Sequence, residues 1–126
     1  DDPAALQAAE RAMGSCAALP SGEKLTKASA LAKEFGAQLP PLLRAYTLAA
    51  EGRKPDAVTL LLSNFERAEA PAECPGEHPM YSYRRISRLT LMLSCIKTLD
   101  PARDVKKLER ALEHARTCAT NNHAVG

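Results

Sequence analysis

The sequence predicts an all-α fold: a single domain, residues 1–126, built as a disulfide-tied bundle of about six antiparallel helices stacked as hairpins. Apolar residues recur three and four positions apart in six segments, each with capping or breaking residues at one end or both. Strand-like alternation is absent, and aromatic residues make up only 4% of the chain. Four cysteines, an even number in a chain of 126 residues, predict two disulfides made in an oxidising compartment.

The first two helices are predicted at residues 3–18 and 23–35. Asp2 suits the N-cap of the first, and Pro3 suits its first helical position, where a missing N–H costs nothing. Gly36 ends the second. The stripes expected to be buried are Leu6, Ala9, Met13, Cys16 and Ala17 in the first helix and Leu25, Ala28, Leu31, Ala32 and Phe35 in the second.

The next two helices, at residues 39–51 and 55–69, are predicted to form an antiparallel hairpin. Gly52 stands where a left-handed helix terminator belongs, and Pro55 starts the second helix with Asp56 in its first turn. The inward-facing residues are Leu39, Leu42, Leu43, Tyr46, Ala50, Val58, Leu61, Leu62 and Phe65.

Residues 70–79 contain three evenly spaced prolines and are predicted to be a loop that separates the first four helices from the last two. We call this segment the proline loop. The fifth helix, 81–99, has two apolar stripes, which indicates a central position. Asp100 and Pro101 are expected to cap the sixth helix, which stops at Asn121. Its buried residues are predicted to be Val105, Leu108, Leu112, Ala115 and Ala119.

Helix geometry ranks the three pairings that four cysteines allow. In a helical hairpin that turns at Asp100-Pro101, Cys95 lies about five residues before the turn and Cys118 about seventeen after it. The two positions are therefore roughly 18 Å apart along the helix axes. The Cα atoms of a disulfide lie within about 7 Å of each other, so these two cysteines should not pair. We therefore predict Cys74 with Cys118 and Cys16 with Cys95. Two alternatives stay open: four reduced core cysteines, and a zinc site whose ligands would be Cys74, His78, Cys118 and His123. Neither the Cys74 to His78 spacing nor the Cys118 to His123 spacing belongs to a common zinc module.

Charge and hydropathy argue against two classes of partner, nucleic acids and membranes. Seventeen basic residues against fifteen acidic ones give a net charge of +2, so no basic field predicts nucleic-acid binding. The longest apolar stretch, 86–99, is interrupted by Arg88 and Lys97, so no membrane span is predicted. The chain begins Asp1-Asp2-Pro3, as a periplasmic or secreted protein would after signal-peptide removal.

No constellation of residues predicts catalysis. None of the three histidines has a nucleophile and an orienting group nearby, and His114 is expected on a solvated helix face beside a charged run. Glycine-rich phosphate loops and hydrolase motifs are also absent from the sequence. We therefore expect a protein that is not an enzyme and needs no cofactor or metal.

Two neighbouring segments suit protein binding. The proline loop is stiffened by its prolines and by Cys74, so it would lose little freedom on association. The start of the fifth helix gathers tyrosines and arginines, which are enriched at interface hot spots. The predicted contact residues are Glu73, Pro75, Gly76, Glu77, His78, Tyr81, Tyr83, Arg84, Arg85 and Arg88. The alternatives are a stiff connector for the loop, and a nucleic-acid patch or a solvated first turn for the start of the helix.

The predicted hairpin resembles one tetratricopeptide-type unit. The resemblance covers residues 43–61 and rests on Ala45, Gly52 and Ala57, while Asn64 falls where that repeat prefers Ala. No second copy recurs at the 34-residue period. This likeness implies helix-hairpin stacking, and with it an alternative function as a chaperone or structural module of a secretion or envelope complex.

The general layout of a small, exported, helical domain with two disulfides and a projecting loop resembles the periplasmic immunity proteins that neutralise amidase effectors of type VI secretion. No specific motif carries this likeness. It implies a homodimeric inhibitor that pushes a loop into the catalytic groove of a peptidoglycan-cleaving amidase. The residues expected in that groove are 74–79 of the proline loop and 81–88 of the following turn.

Overall fold

The computed structural model describes residues 16–36 and 39–125, with side chains described as far as Asn121. This part of the chain is all helical and contains no strand, which confirms the predicted fold class. Its five helices are α1 (Gly22–Phe35), α2 (Pro41–Ala50), α3 (Lys54–Ala68), α4 (Pro79–Leu99) and α5 (Lys106–Val125). None of these helices is both long enough and apolar enough to cross a bilayer.

The described residues contain five helices where the sequence predicts about six. Most of the first predicted helix, 3–18, lies outside the described residues. Its last three residues are described, and they are not helical. Cys16 has a φ of 64°, a left-handed backbone conformation that a right-handed helix cannot continue through. The predicted end of that helix is therefore wrong.

Helices α2 and α3 form the predicted hairpin. Gly52 has a φ of 86°, which only glycine adopts without a steric penalty. The N–H of Arg53 then donates to the Leu48 carbonyl at 2.8 Å, so the end of α2 closes with a hydrogen bond across the turn. Helix α3 begins one residue later at Lys54.

Helix α4 is central, as predicted, because it packs against α2, α3 and α5. Leu89 of α4 and Leu61 and Phe65 of α3 are fully buried, and burying each such side chain contributes about 1.5–3 kcal/mol. The buried cluster contains residues from both sides of the proline loop. Its members are Cys16, Leu42, Ala45, Ala49, Ala57, Val58, Leu61, Phe65, Leu89, Met92, Leu93, Cys95, Ile96, Leu99, Leu112 and Ala115.

Helix α1 differs from the prediction because none of its residues is buried. Leu31, predicted to face inward, is 45% exposed, and the remaining stripe residues are at most half-buried. The helix packs against α2, and Ser29 Oγ donates to Glu51 Oε2 at 2.9 Å. One neighbour covers only part of an amphipathic face, so α1 lies at the edge of the described structure.

Helix α5 begins at Lys106 rather than at the predicted Asp100-Pro101 cap. The Asp100 carboxylate instead accepts a hydrogen bond from Arg103 Nε at 2.9 Å. Asp104 Oδ1 accepts from the N–H of Lys106 at 3.0 Å and so satisfies one of the free N–H groups of the helix start. The helix also continues past Asn121 to Val125.

Candidate partner-binding surface

Both predicted disulfides are confirmed. Cys16 and Cys95 have Cα atoms 5.0 Å apart, and Cys74 and Cys118 have Cα atoms 5.1 Å apart. The alternative of four reduced cysteines is wrong because no cysteine is free. The second bond ties the proline loop to the last turns of α5, as the hairpin geometry of the sequence predicts.

A second contact joins the proline loop to α5 one helical turn away from the disulfide. His114 Nε2 lies 2.7 Å from the carbonyl oxygen of Pro71. A carbonyl oxygen only accepts, so this nitrogen carries the proton and donates. The prediction of a solvated His114 is wrong, because the side chain is half-buried under the loop. The sequence signal for this contact is the four-residue spacing of His114 and Cys118, which places both side chains on the helix face that meets the loop.

The other end of the loop is held to α4 through a half-buried carboxylate. Glu77 forms a two-pronged ion pair with Arg85, one arm of which joins Nη2 to Oε2 at 3.3 Å. Ser82 Oγ donates to Glu77 Oε1 at 3.0 Å, and Ser82 is only 2% exposed. Arg85 therefore meets a negative charge near the helix N-terminus, where a lone cation would be unfavourable.

The loop also caps α4. His78 Nδ1 accepts a hydrogen bond from the N–H of Met80 at 3.1 Å, and Pro79 takes the first helical position. The helix therefore begins two residues earlier than predicted. Met80 lies in this first turn beside the loop and is 53% exposed, and no sequence pattern marked it as a contact residue.

The predicted contact residues divide into two groups. The first group consists of Pro75, Glu77 and Arg85, which are half-buried, and Glu77 and Arg85 form an ion pair with each other. The exposed group consists of Glu73, Gly76, His78, Tyr81, Tyr83, Arg84 and Arg88.

The exposed tyrosines do not form one surface. Tyr81 and Tyr83 are 59% and 56% exposed, but positions two apart on a helix point about 200° apart. Arg84 and Arg88 lie on the same side of α4 as Tyr81, because they follow it by three and seven positions. The ring of Tyr81 also meets that of His78 edge-on, with centroids 6.4 Å apart. We call Glu73, Gly76, His78, Met80, Tyr81, Arg84 and Arg88 the loop surface.

A small pocket adjoins the loop surface where α2, α3 and α4 meet. Its lining consists of Pro41, Leu42, Asn64, Arg67, Ala68, Arg88 and Met92, and its volume is about 120 Å³. Within the described residues, neither Arg67 nor Arg88 forms an ion pair. Sequence reasoning missed this pocket because three separate helices contribute to it.

Of the zinc ligands considered from the sequence, Cys74 and Cys118 lie together, and the histidine that joins them among the described residues is not His78. His78 uses Nδ1 to cap α4, and the side chain of His123 lies outside the described residues. The histidine next to the two sulfurs is His114, whose Nε2 lies 3.6 Å from Cys118 Sγ. Every buried polar side-chain atom in the described part of the chain has a hydrogen-bond partner.

Comparison with protein-family models, with curated proteins and with solved structures found no match to this chain.

Proposed function

We propose that this protein is a non-catalytic, exported binding protein that inhibits a peptidoglycan-cleaving amidase, in the manner of an immunity protein. The proline loop enters the active-site groove of the amidase and blocks it. The resemblance in layout to amidase immunity proteins suggests the partner class, and the anchoring of the proline loop supports the mode of binding.

The observation that carries the proposal is that the loop is fixed at four points. These are the Cys74–Cys118 bond, the His114 to Pro71 hydrogen bond, the Glu77–Arg85 ion pair and the His78 cap. Ordering one flexible residue costs roughly 1–2 kcal/mol, so a segment of ten residues that is already ordered keeps much of its contact energy as affinity. An inhibitor whose loop is ordered before it enters the groove of an enzyme gains affinity in this way.

The chemistry of the loop surface also suits a protein groove. Glu73 places a negative charge on the exposed part of the loop, and Tyr81 with Arg84 and Arg88 continues the surface along α4. Tyrosine and arginine are the residues that most often dominate interface energetics. Met80 adds an exposed apolar side chain beside them.

Gly76 provides the sharpest test. Apart from its chain neighbours, no atom lies within 4 Å of the position that a Cβ would occupy, and its φ is not in the left-handed region, so an added side chain begins in open space without straining the backbone. Gly76→Trp should therefore fold normally but clash with the walls of a groove. The matched control is Ala102→Trp, an exposed position just beyond the far end of α4, whose 21 residues span about 30 Å.

The assay measures release of peptide from purified peptidoglycan by cysteine amidases of cell-wall type, with increasing amounts of the protein. We expect stoichiometric inhibition of at least one amidase by the unmodified chain and by Ala102→Trp. Gly76→Trp should weaken inhibition by about 100-fold or more, the loss that removing a hot-spot contact of about 3 kcal/mol produces. Equal inhibition by both tryptophan variants contradicts insertion of the loop.

The alternative is a tetratricopeptide-like chaperone or structural module that holds a peptide in a helical groove. The pocket between α2, α3 and α4 is the observation that favours it, because Arg67 and Arg88 could receive a peptide carboxylate there. Arg67→Glu separates the two functions, since Arg67 lies in the pocket but outside the loop surface. Binding that Arg67→Glu abolishes and Gly76→Trp leaves intact supports the chaperone.

Export and dimerisation complete the proposal. Two disulfides suit the periplasm or the extracellular space, where thiols are oxidised. The immunity-protein resemblance implies a homodimer, and light scattering would give a mass of twice the 13.6 kDa chain. A monomer at working concentration would remove the dimer from the proposal and leave the loop surface untouched.

A further inference from the structure

The Cys74–Cys118 bond and His114, which anchor the proline loop in the proposed inhibitor, also form a cluster of residues that can bind a metal ion. The potential ligand atoms of the three residues all lie within 4.8 Å of one another. Two of these residues stand one turn apart on α5, which fixes their relative positions, and the proline loop supplies the third.

We propose that reduction of the Cys74–Cys118 bond converts this cluster into a binding site for Zn²⁺, with Cys74, Cys118 and His114 as its ligands. Two thiolates and an imidazole are among the ligands that zinc prefers, and water completes the tetrahedron. Zinc–sulfur and zinc–nitrogen bonds of about 2.3 and 2.1 Å place the two ligand atoms about 3.6 Å apart in a tetrahedron. The distance from Cys118 Sγ to His114 Nε2 is 3.6 Å.

The cluster also has a route of access. Cys118 is 1% exposed and His114 is half-buried, while Cys74 lies in the loop outside the buried core. A reductant or a cation therefore approaches from the loop side and meets Cys74 first. The second disulfide of the chain offers no such access, because Cys16 and Cys95 are 1% and 0% exposed.

The chemistry balances with an external dithiol as the reductant. Its thiolate attacks Cys74 Sγ, the Cys118 sulfur leaves, and the second thiol of the reductant releases Cys74 and closes the reductant's own disulfide. Two electrons and two protons thus pass to the protein sulfurs. Zn²⁺ then displaces the two thiol protons. The ring proton of His114 moves through water from Nε2 to Nδ1, so Nε2 gives up its hydrogen bond to Pro71 and binds the metal. The metal replaces the disulfide as the link between loop and helix.

This inference does not depend on the amidase proposal, because it concerns the reduced protein alone. Co²⁺ is the probe, since tetrahedral thiolate coordination gives it visible absorption bands. The protein is reduced with a phosphine in the absence of denaturant, and alkylation with peptide mapping verifies that only Cys74 and Cys118 have become thiols. Far-UV circular dichroism verifies the helices.

We expect one Co²⁺ per reduced chain, displaced by one Zn²⁺, and none in the oxidised chain. Cys74→Ser with Cys118→Ser should abolish binding under full reduction, although Cys16 and Cys95 are then both thiols. His114→Gln should weaken binding by more than about tenfold, because even outer-shell partners of a metal contribute 10- to 100-fold. The matched control is Thr117→Ala, an exposed change on the same helix, which should leave binding unchanged.

Four results would overturn the proposal. They are absence of Co²⁺ binding by the reduced and folded chain, binding that persists in the double serine variant, full binding by His114→Gln, and loss of the helices when the Cys74–Cys118 bond alone is reduced. The last result counts because a site that exists only in an unfolded chain is not the one described.

Discussion

The two disulfides of this protein lie in opposite surroundings. Cys16 and Cys95 are both buried in the main cluster around α4 and join chain segments 79 residues apart. Cys118 is buried on α5, but its partner Cys74 lies in the proline loop, and the pair spans 44 residues. The first bond holds the core together. The second holds one loop in place.

The two bonds therefore have different roles: the first stabilises the folded chain, and the second presents the proline loop to a partner. The Cys16–Cys95 bond is almost completely buried and offers a partner almost no surface, so its contribution is to the free energy of unfolding. The Cys74–Cys118 bond acts with His114 and Glu77 to fix the loop before a partner arrives. Changes in the two regions should therefore be distinguishable by different measurements.

The largest effect is expected from removing the buried bond. Cys16→Ala with Cys95→Ala should lower the free energy of unfolding by about 4 kcal/mol, from the loop-closure entropy of the unfolded chain together with the packing that two buried sulfurs lose. Urea denaturation of both proteins under oxidising conditions measures this. A loss smaller than that of the other disulfide variant would contradict the comparison.

Removing the loop bond should cost less and act locally. Cys74→Ala with Cys118→Ala should lower the free energy of unfolding by about 3 kcal/mol, because the closed loop is shorter and one sulfur packs outside the core. Hydrogen exchange should become faster in the proline loop and stay slow in α4. Exchange that accelerates equally in both would show that this bond supports the whole fold.

The ion pair beneath the loop should have an intermediate effect. Glu77→Ala leaves the half-buried Arg85 without its carboxylate and removes the hydrogen bond between Ser82 and Glu77, so we expect a loss of about 1–2 kcal/mol in denaturation experiments. The matched control is Asp56→Ala, which breaks an ion pair with Arg53 whose side chains are both 59% exposed. That change should cost about 0.5 kcal/mol or less. Equal losses would mean that the Glu77 pair is only a surface pair.

The smallest effect is expected at the His114 contact. His114→Gln removes the hydrogen bond to Pro71 and should lower the free energy of unfolding by about 1 kcal/mol in the oxidised protein. Thr117→Ala, an exposed change on the same helix, is the control and should cost less than half as much. No difference between the two would argue that His114 contributes nothing to holding the loop.

Much of the fold follows from local rules that the sequence contains. The α2–α3 hairpin follows from Gly52 and Pro55, and the disulfide pairing follows from the axial offset between Cys95 and Cys118 in a helical hairpin. Both depend on short-range geometry, in which 1.5 Å per residue and the reach of a disulfide leave few choices. These features were predicted correctly for that reason.

Other features depend on choices between similar signals or on distant parts of the chain. Asp100 and Asp104 are both suitable residues for a helix start, but in the structure Asp104 caps α5 and Asp100 accepts a hydrogen bond from Arg103. The exposure of α1 reflects how many helices cover it, which periodicity does not report. The contact of His114 with Pro71 joins residues 43 positions apart, so it needed the packing of the loop to be known.

The most direct test of the central claim is the mobility of the proline loop in the free, oxidised protein. Backbone ¹⁵N relaxation reports an order parameter for each non-proline residue of the loop. If its contacts with α4 and α5 fix the loop in advance, these values should be about 0.8 or higher, close to those of α4, and should fall in the Cys74→Ala, Cys118→Ala variant. Values below about 0.6 with the disulfide intact would contradict a preformed binding loop.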